Sequence, residues 1–232
     1  LYAARMEEDG LDTHVGGVAA YSTLGRFDDP VLSSMLGWRD YQLAGLIFHE
    51  LSHQVLYVKD DSEFNESFAT AVEEEGLTRW LEARGEPGEL ETYRASRERA
   101  GGFSLLIADA RRRLGELYAQ DLAEADMRAA KAAEFEALRT RYRALRDSWD
   151  GYPGYDAWFA QPLNNARLVP VATYRRYVPA FRAMLRDVDG NLPAFYAAAR
   201  QLAELEPDER RARLDDYLRT APGEDGRVTA SR

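Results

Sequence analysis

Leu43, Ile47, Leu51, Val55 and Val58 recur every three or four positions, the spacing of one face of an α-helix. Gln42, Leu46, His49, Glu50, His53 and Tyr57 fall on the other side. The pattern predicts a helix over about 41–58, capped by Asp40, with its apolar back anchored in the core and its histidines projecting from the front. Lys59 to Ser62 reads as a polar turn, with Asp61 or Ser62 capping a second helix over about 63–83. Gly85-Glu86-Pro87-Gly88 then breaks the chain. Beyond it, Tyr93, Ala100, Phe103, Leu106, Ala110, Leu114 and Leu117 resume helical spacing, and Phe135, Leu138, Tyr142, Leu145 and Trp149 repeat it on a return arm. This predicts a long antiparallel helical hairpin with arms of about 40 Å at 1.5 Å per residue. A kink is expected at Gly101-Gly102, and a capping box from Asp121 to Glu124. Three shorter helices follow near 170–188, 191–205 and 207–219, and the tail APGEDGRVTASR reads as disordered.

The first forty residues are less regular. Residues 1–10 read as the end of a helix stopped by Gly10, and Asp28-Asp29-Pro30 as a helix start with proline in the first turn. Val15 to Leu24 (VGGVAAYSTL) has no helical period and is rich in Gly, Val, Tyr and Thr, which predicts an edge strand. The expected fold is therefore mainly α with a small β-sheet near the N-terminus, an α+β class. Its expected divisions are a catalytic core over 1–84, the hairpin over 85–150, helices over 151–220 that complete the catalytic domain, and the tail over 221–232.

Composition narrows the function classes. A hydrophobic content of 45% over 232 residues suffices for a core, and a net charge of −10 argues against nucleic acid and against anionic membrane surfaces. With no cysteine there is neither a disulfide framework nor a thiolate metal site, so a metal would rest on His and carboxylate. No stretch approaches the roughly 20 apolar residues of a membrane span. The chain opens on Leu1 with no signal peptide in view, and is expected to begin inside a longer product whose upstream part could carry an export signal or anchor.

Two of the three histidines stand in His49-Glu50-Leu51-Ser52-His53. HExxH on a helix places two imidazoles at i and i+4 on one face, where both can hold one Zn²⁺ while the glutamate between them reaches the water it activates. Asp60, Asp61, Glu63, Glu66, Glu73, Glu74, Glu75 and His14 compete for the third ligand. Asp60 and Asp61 follow too soon and read as turn or cap residues. Glu66 shares a helix face with Thr70 and Glu73, and a second helix packed on the first would aim that stripe at the histidines. Glu73 would then either orient an imidazole N–H or belong to a solvated acidic run. Leu56 and Lys59 stand where a metzincin needs Gly and His, which excludes that class.

FHELSHQ with FNESFATAVEEEG resembles the gluzincin metallopeptidases, and NESFA is similar to the NEGFA run of the large zinc aminopeptidases. Twelve residues separate His53 from Glu66, fewer than in those enzymes. Together with GGVAAYSTLGRFDDPVLSSML, YVKDDSEFNESFATAVEEEG and LNNARLVPVATYRRYVPAF, the chain resembles a bacterial family of predicted zinc aminopeptidases, from about Asp12 to the final helices. The resemblance implies one Zn²⁺ per chain on His49, His53 and Glu66, with Glu50 catalytic, peptide as substrate, and a bacterial envelope or periplasmic setting. Glu50 would take a proton from the attacking water and pass it to the leaving amine. Tyr174, with Tyr177 and Arg175 behind it, is the expected oxyanion donor. The predicted strand could bind an extended peptide through its backbone. It lacks the glutamate of the large aminopeptidases' GxMEN motif, so an amine anchor is sought in Glu73, Asp28, Asp29 or an upstream part. The alternative is a non-catalytic helical interaction protein with a structural or vestigial zinc site.

Overall fold

The computed structural model describes residues 2–17, 32–173 and 176–220. The chain divides into two compact units: residues 1–19 with 90–173, and residues 20–89 with 174–232. The first holds helix α1 (Tyr2–Glu8), all but the first turn of α4 (Pro87–Tyr118), α5 (Glu124–Asp147), the short α6 (Asp156–Phe159) and α7 (Asn165–Thr173). The second holds α2 (Asp40–Val55), α3 (Ser62–Arg84), α8 (Val178–Asp187), α9 (Leu192–Ala203) and α10 (Pro207–Thr220).

Among the described residues there is no strand, so the fold is all-α and the expected small sheet is wrong. Val15, Gly16 and Gly17 run exposed without a ladder partner, and the rest of the predicted strand lies outside the described residues. Just before them, the chain is tied by side chains instead. Lys131 Nζ donates to Asp12 at 2.6 Å, the Asn165 backbone N–H donates to the same carboxylate at 3.0 Å, and Asn164 Nδ2 donates to the Thr13 carbonyl at 2.8 Å. Backbone polar groups satisfied or solvated in this way have no need of a sheet. The helix start predicted at Asp28-Asp29-Pro30 also lies outside the described residues.

In the first unit α4 and α5 form the predicted hairpin around Phe103, Ile107, Ala110, Leu114, Phe135, Leu138 and Tyr142, all buried. Helix α4 runs unbroken through Gly101-Gly102. Gly102 serves packing, because a Cβ there would lie 3.1 Å from the Trp149 ring. The capping box expected at Asp121 does not form; α5 starts after Ala123 without a side-chain cap. The helix expected over 170–188 is two helices, α7 and α8. Pro179 stands in the first turn of α8, where a missing N–H costs no intrahelical bond, while Pro170 lies inside α7.

The second unit is built on α3, whose Phe64, Phe68, Ala71 and Val72 pack on Phe181, Met184, Phe195 and Leu202. Phe181 stands edge-on to Phe64 at 5.2 Å and to Phe68 at 5.7 Å. The opposite side of α3 takes α2, and here the expected orientation of α2 is reversed. Of the predicted buried stripe, Ile47, Leu51 and Val55 are 41%, 50% and 38% exposed, Leu43 is half-buried and Val58 packs on the core beyond the end of α2, whereas Gly45, Ser52 and His53 are buried. Small residues on the histidine side admit α3 closely, and Gly76 of α3 lies where a Cβ would come within 3.3 Å of the Phe48 ring. Among the described residues no helix is long and apolar enough to cross a membrane.

The start of α3 is fixed from afar. Asp61 caps it by accepting from the Phe64 N–H at 3.1 Å, and its other carboxylate oxygen accepts from Arg210 Nε at 2.9 Å. Arg210, 4% exposed on α10, also donates to the Ala203 and Leu205 carbonyls. Removing one partner of a buried, hydrogen-bonded pair strands the other, so Arg210→Met should destabilise the protein by about 3 kcal/mol. The exposed Arg128–Glu124 pair is the control, since Arg128→Met should change stability by less than about 0.5 kcal/mol. Urea unfolding of both variants checks this; equal effects would deny Arg210 its anchoring role.

Candidate metal centre

The loop from Leu56 to Asp61 returns the chain from α2 to α3 and brings the two motifs face to face. Asn65, 2% exposed, secures the return with both ends of its amide: Oδ1 accepts from the Val58 N–H at 2.8 Å and Nδ2 donates to the Val58 carbonyl at 2.7 Å. Asp60 takes a left-handed backbone, φ 62°, as an aspartate in a tight return can. On α2, the Ser52 hydroxyl donates to the His49 carbonyl at 2.6 Å.

Glu66 stands between the two imidazoles. Its oxygens lie 3.3 Å from His49 Nε2 and 3.8 Å from His53 Nε2, and the three ligand atoms all fall within 4.8 Å of one another. Donors around a tetrahedral zinc with bonds of 2.0–2.1 Å stand about 3.3–3.5 Å apart; the two Glu66 separations lie near that range, while the set as a whole spans up to 4.8 Å and would draw together on binding metal. The donor types also suit zinc, two imidazoles and one carboxylate with no thiolate. On the far side of His49, Nδ1 is 3.3 Å from Glu73 Oε2. That contact leaves Nε2 turned toward Glu66 and fixes the ring, the usual arrangement of an imidazole ligand and its outer carboxylate. His53 Nδ1 is buried without a partner among the described residues, and its ring stands edge-on to His49 at 5.0 Å.

Of the competing ligands, Asp61 is the cap of α3 held by Arg210, and Glu63 lies 3.8 Å from Arg176. The acidic run divides three ways. Glu73 meets His49, Glu74 pairs with Arg182 of α8 at 2.7 Å, and Glu75 pairs with Arg79 at 2.7 Å. Glu50 is half-buried on α2 between the histidines. Tyr174 and Arg175, expected at the oxyanion, lie outside the described residues, as do Asp28 and Asp29. Tyr177 is 1% exposed; burial pushes its phenol up to about 12, and its N–H donates to Ser67 Oγ at 3.2 Å. Sequence reasoning missed the amide clamp of Asn65, signalled only by its place before Glu66, and the reach of Arg210, for which no local signal exists.

Burial opposes protonation of His49, but the hydrogen bonds its ring donates to Glu66 and Glu73 and their negative charge outweigh it and raise the imidazole to about 9. His53 is held below its ordinary value by burial and by the charge on His49, against the pull of Glu66 and Glu50.

Two imidazoles and a carboxylate on consecutive packed helices, with a glutamate between the histidines, define a possible His₂Glu metal site. A family model described as "Putative aminopeptidase" matches residues 1–214, and the chain belongs to that family. No curated protein and no solved structure matches the chain.

Two outcomes follow for the metal. Replacing His49 or His53 by Ala, or Glu66 by Gln, should abolish stoichiometric Zn²⁺ in the dialysed protein, whereas Glu73→Gln should keep the metal but weaken affinity about 10–100-fold. Zinc content and chelator competition read both, and an undiminished affinity in Glu66→Gln would remove it from the ligand set. The second concerns protons. With His49 at about 9, its pairing stabilises the metal-free fold fully below about 6.5 and is lost as pH rises through about 9. Zinc needs the neutral ring, so binding at pH 7 should release at least one proton and tighten about tenfold per pH unit up to that point. Calorimetry in buffers of different ionisation enthalpy measures the release; none would mean that His49 is already neutral.

Proposed function

We propose that the chain is a zinc-dependent peptidase acting at a free amino terminus, with one Zn²⁺ on His49, His53 and Glu66 and with Glu50 as general base. The observation that carries the reading is Glu66 facing both imidazoles while Glu73 backs His49. Family membership supports it from the side of sequence. When bound, Zn²⁺ polarises the scissile carbonyl and makes a water acidic enough to react near neutral pH. Three protein donors are the number a catalytic zinc uses, whereas a structural site closes with four.

The side chains divide the remaining work. Glu50 sits between the ligands on α2, takes the proton of the attacking water and returns it to the leaving amine. Glu73 keeps the His49 ring in place and is therefore occupied, which removes it as the anchor for a substrate ammonium. At the site itself Glu50, Glu66 and Glu73 bring three carboxylates against the two charges of Zn²⁺, and a net negative centre favours a cationic end of the substrate over a terminal carboxylate.

Glu50→Gln should retain zinc and lower turnover by about 10²–10⁴-fold. Loss of zinc along with activity would make Glu50 a ligand or a folding residue. The amino-terminal preference is read with one peptide carrying a free or an acetylated N-terminus. The free form should be cleaved faster, with the advantage shrinking as salt rises; equal cleavage at internal bonds would leave an endopeptidase.

A further inference from the structure

Tyr57 is 50% exposed beside a metal-ligand candidate, and its backbone is held on both sides. Before it, the Leu56 N–H donates to the Ser52 carbonyl at 3.1 Å, ending α2 in an extended residue. After it, Val58 is clasped through both its N–H and its carbonyl by Asn65. The Tyr57 ring stands edge-on to His53, with centroids 6.3 Å apart and planes at 77°. A large aromatic on a locked backbone is thus held half in solvent next to the imidazole. Tyr57 lies just beyond the end of α2, and its only ring contact of this kind among the described residues is with His53. The exposed half of the ring is therefore apolar surface beside the His53 ligand position.

The geometry points to Tyr57 as a specificity-determining residue, the wall against which a bulky apolar side chain flanking the scissile bond packs. This rests on the peptidase reading above and names its substrate class: peptides with a large apolar residue beside the cleaved bond. A tyrosine suits the task because its ring offers apolar area at little conformational cost while its hydroxyl remains wet. Asn65 contributes indirectly, by fixing the peptide units that aim the ring.

The zinc-loaded protein is assayed on peptide pairs that differ only in Leu or Gly on either side of the cleaved bond. At one of the two positions the wild type should prefer Leu by about 10–100-fold in kcat/KM. Tyr57→Ser should reduce that preference to within about threefold, mainly through KM for the Leu peptide, with zinc content unchanged. Tyr57→Phe should keep the preference, and Tyr57→Leu, a second apolar replacement should Ser impair folding, should keep part of it. Binding of the Leu and Gly peptides to Glu50→Gln protein, measured by calorimetry, should show the same gap without turnover. An unchanged preference in Tyr57→Ser would overturn the assignment. So would loss of the preference in Tyr57→Phe, which would place recognition in the hydroxyl and not in the ring. Absence of metal-dependent cleavage in the wild type would overturn the peptidase reading and this one together, and is recognised before any Tyr57 variant is compared.

Discussion

Two imidazoles facing two carboxylates across a helix pair form an arrangement that a protein interior keeps only when every charge has an opposite neighbour. Burial alone would drive both rings neutral, as it does for His53. The carboxylates of Glu66 and Glu73 reverse that for His49 and hold it in its charged form in the metal-free protein. The packing of α2 on α3 follows from this meeting of faces. Ile47, Leu51 and Val55 of α2 turn outward, Gly45, Ser52 and His53 turn inward, and Phe48 packs at Gly76 of α3.

The rest of the second unit keeps α3 where that meeting needs it. Its aromatic side is packed by Phe181 and Phe195, its acidic residue Glu74 is paired by Arg182, and its first turn is held by Asp61 and Arg210. A rigid support of this kind suits ligands that must stand within a few tenths of an ångström of their working positions. The loop between the motifs is short, clasped by Asn65 and anchored by Leu56 and Val58 against the core of the second unit. Tyr57 can therefore face outward without loosening the turn.

The acidic run at 73–75 shows how far residue type falls short of role. Three identical side chains in succession go to an imidazole, to a half-buried arginine on another helix and to a surface arginine one turn on. Helical geometry puts successive residues about 100° apart, so neighbours in sequence necessarily serve different faces. Glu73 at seven residues beyond Glu66 was legible as a partner for that reason, while the fate of Glu74 depended on α8.

What the sequence determined by itself was local and periodic. It specified the helices over 40–84, the hairpin with Phe103, Leu114, Phe135 and Tyr142 inside, the end of α3 at Gly85, and the alignment of Glu66 with Glu73 toward HExxH. These depend on spacing within one element, where the pitch of the helix is enough. Tertiary structure alone decided which side of α2 is buried, that Asp12 and Thr13 are tied to Lys131 of α5 and to the start of α7 while Val15 to Gly17 pair in no sheet, and that the helix expected over 170–188 is two. It also decided that Arg210, 149 residues away, holds the cap of the ligand helix. An apolar stripe states that a face can be buried, but the choice between that face and another rests on which neighbour offers compensating charge and room. That neighbour comes from a distant part of the chain.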